Sequence, residues 1–520
     1  MELREVVEVS GALRATRSRT EKRDRIAALL RSADDRDIAI ATAFLVGEPL
    51  QGRIGVGWSS VAEAEPGAPP ATSSLSLVEV DAALSALAAL EGEGSRAERK
   101  RALESLLARA TEAERAFLSG LLLGNLRQGA LEGVMEDAIA RAFDVSVERV
   151  RRAHMLAASL PEIARIARSA GAPGLDAVGL TLFRPVLPML ASPAEDVDDA
   201  LGGLGEAFFE PKLDGIRLQV HRAGDDVAVF TRGLEDVTRL VPEVVSIARA
   251  LPAREVILDA EAIAMRDDGR PHPFQVTMRR FGRRMTERKE ATLVSELPLT
   301  LAAFDCLLVS GESLLDRPTT ERLDALDAHV PQSSRLARVR TSDPALAAAQ
   351  LRAVLDAGHE GLVVKALDAP YAAGRRGKSW LKLKRVRTLD LVVIAVEWGS
   401  GRREGTLSNL HLGARDPQTP GRFVMLGKTF KGLTDELLAW QTRELLAREE
   451  RREGHVVHVR PELVVEIAFD GVQESPRYPA KLALRFARVK RYRPDKTAAE
   501  ADTLDTVRAI HEHDRDGEPR

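Results

Sequence analysis

The chain of 520 residues holds a single cysteine, Cys306. One thiol excludes an internal disulfide and any zinc site built from several cysteines. Its setting, Phe304-Asp305-Cys306-Leu307-Leu308-Val309, is apolar, so a packed side chain is expected and not a reactive one. No run of 18 apolar residues occurs, and no segment is expected to span a membrane. Met1-Glu2-Leu3-Arg4-Glu5 has neither the basic n-region nor the apolar h-region of a secretory signal, which points to the cytoplasm. An excess of either charge is missing too: 75 basic and 78 acidic residues leave −3. That total does not advertise a nucleic-acid partner, although phosphate contacts need only a local basic face. Lysine is scarce, with 13 among the 75 basic residues. Arginine stays protonated, whereas lysine can shed its proton and become a nucleophile, so each remaining lysine invites scrutiny.

What is present reads as a multidomain globular protein, 44% hydrophobic and 29% charged, too long for one core. Residues 1–195 are expected to be all-α. Leu103, Leu106, Leu107 and Ala110, then Phe117, Leu118, Leu121 and Leu122, recur at the spacing of one helical face. Glu162 to Arg168 continues the pattern. Breaks fall at Glu65-Pro66-Gly67-Ala68-Pro69-Pro70 and Gly171-Ala172-Pro173-Gly174. Gly124-Asn125-Leu126-Arg127-Gln128-Gly129 interrupts the helices with small and polar residues, where backbone amides and Arg127 could meet phosphates. Residues 196–386 change to short strands with helices between them, an antiparallel-rich α+β domain. Val227 to Phe230 should form a hairpin with the strand after Lys212, turning at Ala223-Gly224-Asp225-Asp226. Val256–Asp259, Leu301–Phe304 and Gly361–Lys365 are further apolar strands. Residues 387–505 are mostly β (391–396, 421–426 and 464–469) with a helical insert near 434–448, which suits a small barrel. After Asp502 one helix and a polar end are expected, with 506–520 set apart as a polar tail, and no internal repeat is found.

One stretch organises the rest. Glu210-Pro211-Lys212-Leu213-Asp214-Gly215-Ile216-Arg217 sets a lysine in a short loop, with the alternating run Leu218-Gln219-Val220-His221 behind it. Four later stretches follow in order. They are Phe230-Thr231-Arg232-Gly233, Val256-Ile257-Leu258-Asp259-Ala260-Glu261, Phe304-Asp305 and Glu360-Gly361-Leu362-Val363-Val364-Lys365. Tyr371, Arg376 and Trp380-Leu381-Lys382-Leu383-Lys384 come next; Lys382 and Lys384, two apart on a strand, point to one face. From Arg485 to Lys496 six basic residues accompany one acidic.

In order and spacing, these stretches resemble the motifs of covalent nucleotidyltransferases, and the chain as a whole resembles a bacterial ATP-dependent DNA ligase. The resemblance implies that Lys212 forms a phosphoramidate to AMP, its amine freed by cationic neighbours and partial desolvation. It implies that Glu210 faces adenine, that Arg217 faces ribose or phosphate, that Arg232 lies near the nucleotide, that Glu261 holds the ribose, and that Phe304 stacks on the base. Glu360, with Glu261, is a hard oxygen ligand suited to Mg2+, for which Mn2+ would substitute. Arg376, Lys382 and Lys384 would grip phosphates. Arg485, Arg488 and Lys496 would form the C-terminal motif that closes over ATP and orients the departing pyrophosphate. Ala260 stands where the family usually has glycine, and Ala487 where it has proline. Phe183 to Ala191 resembles the connector between DNA-binding and adenylation domains, and the β region resembles an OB-fold, Gly427 to Asp435 included.

RNA ligases and capping enzymes share the lysine motif, but have little use for the long helical region before it. NAD-dependent DNA ligases carry a zinc module that one cysteine cannot build. A catalytically inactive DNA-binding relative is the alternative from another class, and the intact set of Lys212, Glu261, Glu360, Lys382 and Lys384 speaks against it. The implied partner is nicked double-stranded DNA, encircled by a monomer at the nucleoid; no protein partner is legible.

Overall fold

A computed structural model describes residues 1–520 apart from 53, 65, 91, 93–94, 127, 129–131, 282–286, 373–375, 385–386, 401–402 and 517–520, and apart from the side chains of 287–291, 376 and 513–516. The first 176 residues are helical, and their buried cluster lies wholly within residues 3–175. Leu103, Leu106, Leu107, Phe117, Leu118 and Leu121 all point into it, as the spacing predicts. Local chemistry fixes the helix starts. Thr111 caps Glu112–Leu122 and Ser76 caps Leu77–Ala89, each in a reciprocal capping box with the glutamate three residues on. The break at 171–174 appears as a kink inside Leu160–Asp176, where Gly171 takes φ +57° ahead of Pro173. In the polar interruption at 124–129, Gln128 is buried: Ser10 Oγ donates to it at 2.5 Å, and Lys22 Nζ donates to its carbonyl at 2.7 Å.

The middle region contains, among the described residues, β1 (Leu190–Pro193), β2 (Ala207–Lys212), β3 (Ile216–Ala223), β4 (Asp226–Thr231), β5 (Glu255–Ala264), β6 (Leu299–Val309), β7 (Glu312–Ser313), β8 (Val339–Thr341), β9 (Gly361–Ala366) and β10 (Arg376–Lys384). They form two sheets, β1-β10-β9-β2-β8 and β4-β3-β5-β6-β7. Every pairing is antiparallel except β1 with β10. The expected hairpin is present, β3 facing β4 with Ala223 opposite Asp226. Cys306 is buried, and burial pushes its thiol up to about 12, as a packed cysteine requires. Beside it, Asp305 and Arg322 form a forked ion pair with both side chains at 0% exposure. Removing one member of such a pair strands the other charge, at a cost of about 3–5 kcal/mol.

Residues 183–191, the expected connector, are stapled across β3 near their start. Val186 N donates to Gln219 Oε1 (2.9 Å), and Gln219 Nε2 donates back to Val186 O (2.8 Å). Phe183 N donates to His221 Nδ1 at 3.0 Å. Burial holds that imidazole down to about 4, so it stays a neutral acceptor.

The C-terminal region is strand-rich: β11 (Arg387–Trp398), β12 (Leu407–Arg415), β13 (Phe423–Thr429), β14 (Glu449–Glu453), β15 (Val456–Val459), β16 (Val464–Phe469), β17 (Gly471–Glu474), β18 (Leu482–Arg485) and β19 (Arg488–Tyr492). The main ladder runs β13-β12-β11-β15-β14; β16 branches from β11 and carries β19. Thr429 Oγ1 donates to Ala487 O, and Val489 N to Lys431 O, so the end of β13 reaches β19. No strand ladder closes the sheet among the described residues. The expected insert is the helix Asp435–Leu446, capped by Thr434. The last helix, Leu504–Asp516, lies where one was expected after Asp502, and it buries Leu504 and Val507 in the C-terminal core.

Candidate active site

β2 belongs to one middle sheet and β3 to the other, so Leu213-Asp214-Gly215 turns the chain across the seam between them. Lys212 is the last residue of β2 and not a loop residue, as its sequence setting suggested. The turn lies flat on β5: a Cβ added at Gly215 would stand 2.4 Å from Ala262 O and 2.9 Å from Glu261 Cγ. Only glycine permits that approach. Glu360 N donates to Lys212 O at 3.1 Å, which brings a carboxylate to the lysine from the head of β9.

From Lys212 an alternating row of charges runs outward. Its ammonium pairs with Glu360; Lys384 Nζ lies 3.1 Å from Glu360 Oε2 and 2.9 Å from Asp470 Oδ2; Arg488 Nη1 lies 3.5 Å from Asp470 Oδ1. Burial works to raise the Glu360 carboxyl, but Lys212 and Lys384 outweigh it and hold the group below the usual range. Burial likewise works against the charge on Lys384, while Glu360 and Asp470 raise its pKa above the ordinary value. A second bridge crosses between the same regions, from Arg485 Nη1 to Asp214 Oδ2 at 3.0 Å. Burial and the nearby Glu360 raise the Asp214 carboxyl, against the pull of Arg485. Glu261, under the turn, is pushed up to about 8 by burial in spite of Lys212 and Arg217.

Behind the seam lies an aromatic wall. Arg217 forks onto Asp259 at 2.9 and 2.6 Å and donates to Met189 O at 2.6 Å. Its guanidinium carbon stands 5.4 Å from the centre of the Phe304 ring and 5.8 Å from that of Trp380. Tyr371 Oη donates to Asp259 Oδ2 (2.7 Å) and accepts from Met189 N (3.0 Å). Glu210, two residues before Lys212 and on the same strand face, is paired at 2.7 Å with the buried Lys365.

Comparison with known proteins decides the family. A model described as ATP dependent DNA ligase domain matches residues 188–384, another described as ATP dependent DNA ligase C terminal region matches 403–496, and DNA ligase N terminus matches 63–140. The chain is similar to the probable DNA ligase of Anaeromyxobacter sp. (strain Fw109-5), 56% identical over 513 residues and 98% of each chain. It is 53% identical over 508 residues to the probable DNA ligase of Sorangium cellulosum (strain So ce56), covering 98% of this chain and 95% of that one. The chain belongs to the ATP-dependent DNA ligases. The solved structure named Pmar-Lig_PreS3 shares the ligase's fold, with a TM-score of 0.62 at 19% identity, over 94% of this chain and 99% of that one.

The ligase brings together most of the residues singled out in its sequence. Lys212, Glu360, Lys384, Arg485 and Arg488 join the two bridges, Glu261 lies beneath them, and Glu210, Arg217 and Phe304 line the wall behind. Three readings change. The nearest charge to Lys212 is a carboxylate and not a cation. Arg217 spends its fork on Asp259 and Met189 O, and so shapes the wall instead of offering a free phosphate contact. Lys496 pairs with Asp390 at 2.5 Å, alongside Arg493, apart from the row that starts at Lys212. Arg232 is exposed beyond the end of β4, and Lys382 is half-buried on the same face of β10 as Lys384. Arg127 and the Arg376 side chain lie outside the described residues. Sequence reasoning passed over Asp470, Lys365 and Asp259. Asp470 had a signal, an acidic residue directly after the apolar strand β16.

Proposed function

We propose that Lys212 is the nucleophile with which this ligase takes AMP from ATP. The observation that carries it is the position of Lys212 at the seam, one strand end from Glu360 and Lys384. Once Nζ leaves Glu360 and gives its extra proton to solvent, the free amine attacks the α-phosphorus; an N–P bond forms as the bond to pyrophosphate breaks, and a second N–H proton passes to solvent. AMP then passes to the 5′-phosphate of the nick, and the 3′-hydroxyl displaces it. Glu261 would accept from the ribose, Phe304 would stack on the base, and Glu210 would face the base edge. Lys382, Lys384, Arg376 and Arg232 would hold phosphates, with Arg485 and Arg488 on the leaving group, because charge-assisted contacts to phosphate oxygens are the strong ones.

Glu360 fits Mg2+, or Mn2+ in its place, since it offers carboxylate oxygens and such an ion takes one or two carboxylates plus phosphate oxygens; Glu261 would join it on losing its proton. Among the described residues no group of three or more His, Cys, Asp or Glu gathers as a metal cage. When bound, the ion would neutralise phosphate charge.

We read β11–β19 as an OB-fold, supported by the contacts between the end of β13 and β19. We place domain boundaries at 1–195, 196–386 and 387–505, supported by three buried clusters within 3–175, 208–330 and 389–507. The helical region, Arg127 included, would grip phosphates while a monomer encircles the nick, in the cytoplasm at the nucleoid. No helix among the described residues is long and apolar enough to cross a membrane.

Lys212→Arg is expected to abolish adenylation, because a guanidinium keeps its proton. Mass spectrometry after incubation with ATP should show an AMP adduct on the wild type and none on the variant. An adduct of equal yield on Lys212→Arg would remove Lys212 from the reaction. Nick sealing with ATP but not with NAD completes the test.

A further inference from the structure

Lys365 is fully buried on β9 and faces the wall behind Lys212. Its ammonium pairs with Glu210 Oε2 at 2.7 Å and donates to Phe304 O at 2.6 Å. It also stands 4.6 Å from the centre of the Trp380 ring and 5.0 Å from that of Phe304. Glu210 is 2% exposed, and its other oxygen, Oε1, is buried with no hydrogen-bond partner among the described residues. Trp380 Nε1, on the ring packed against the same lysine, is likewise buried and unpaired. A buried pair of this kind adds little stability over well-packed apolar side chains, and a buried acceptor left open subtracts from it. The arrangement therefore makes more sense as a device for reading a ligand than as a structural brace.

The chemistry of the open oxygen decides what it reads. An ionised glutamate only accepts hydrogen bonds, whereas the neutral acid also donates one. A purine with an amino group at C6 presents N–H donors to that oxygen; a 6-oxo purine presents another acceptor. Burial pushes the Glu210 carboxyl upward, towards the neutral acid. The charges that face it are Lys365 on β9, Arg338 just before β8 and Asp305 on β6; the first two oppose the effect of burial and Asp305 adds to it, Lys365 being the strongest of the three.

We propose that Lys365 is a positioning residue for base selection: its charge fixes Glu210 as an acceptor-only carboxylate, so that the pocket takes a 6-amino purine and rejects a 6-oxo purine. This rests on the reading that Glu210 faces the base. The step affected is the first, since base selection precedes attack by Lys212, and the loss should appear in KM more than in kcat.

The test is self-adenylation of the full chain with ATP and with ITP, from mildly acidic to mildly alkaline pH. Lys365→Met should lower the preference for ATP over ITP by about tenfold or more, the scale of one charge-assisted hydrogen bond. Its KM for ATP should improve as pH rises and Glu210 loses its proton, while the wild type changes less. Lys365→Gln, which can still donate to Phe304 O and Glu210 but carries no charge, should behave the same way and serves if the methionine variant does not fold. Glu210→Gln, whose amide both accepts and donates, should admit ITP with no such pH dependence. Equal losses for both nucleotides at every pH in the Lys365 variants, with Glu210→Gln altering the preference, would overturn the role given to Lys365. An unchanged preference in Glu210→Gln would instead remove Glu210 from the base.

Discussion

Burial keeps the Glu261 carboxyl near 8 although Lys212 and Arg217 both favour its charged form. The sign of the consequence is fixed. Between the ordinary 4.5 and about 8 the folded chain holds a proton that the unfolded chain has released, so stability declines as pH rises through that window and levels off above it. Glu261→Gln removes the titration. Its melting temperature relative to wild type should therefore climb from about pH 5 to about pH 8 in the nucleotide-free protein, even as adenylation falls. A pH-independent difference between the two melting curves would mean that the carboxyl titrates normally. At this scale the sequence was readable where a chemically suited residue stands in a stretch of its own, as Lys212, Glu261 and Glu360 do. It was silent where meaning depends on a distant partner: Asp470 meets Lys384 across 86 residues of chain, and nothing near either announces the other.

Elements set the distances between these groups, and glycine sets how closely the elements approach. Gly215 rests its backbone on the Ala262 carbonyl and the Glu261 side chain. Gly215→Ala would drive a methyl group into both, lifting the turn off β5 and moving Lys212 away from Glu261. A cost of roughly 1–3 kcal/mol is expected, the range for forcing an extra methyl into a packed site. Adenylation should fall further than the stability loss explains. Thermal denaturation and single-turnover adenylation, measured side by side, check this; a variant with wild-type values in both would show that the turn is not held down. Strand alternation and helical spacing predicted most elements, because each is a local pattern with one buried face. The parallel pairing of β1 with β10 escaped it, since Leu190 and Arg376 lie far apart in the chain and neither stretch announces the other. So did the branch of β16 and β19 from β11, which depends on which edge of the sheet remains free.

At the scale of the whole molecule, the helical region is joined to the rest by a small mixed seam. Met155 and Leu156 pack with Val186, Met189, Ile257, Leu307, Leu308 and Leu315, and Arg152 forks onto Asp316 with two contacts of 2.6 Å. Every residue assigned to ATP chemistry lies beyond that seam. A chain starting at residue 177 should therefore still adenylate itself, although uncovering Ile257 and Leu307 should lower its melting temperature by several degrees. Binding to nicked duplex should weaken severely, and the part lost should be the salt-sensitive part. Each phosphate contact contributes a slope of roughly −0.9 in log K against log salt, so losing several flattens the dependence visibly. Arg127→Ala in the full chain should reduce the slope by about one unit and weaken binding to all sequences alike. The measurement is nick binding by full-length and shortened chains from low to moderate salt. Equal affinity and equal slope would make the helical region a brace for the middle sheets, and its grip on DNA would have to be sought elsewhere, first on the basic run from Arg485 to Lys496.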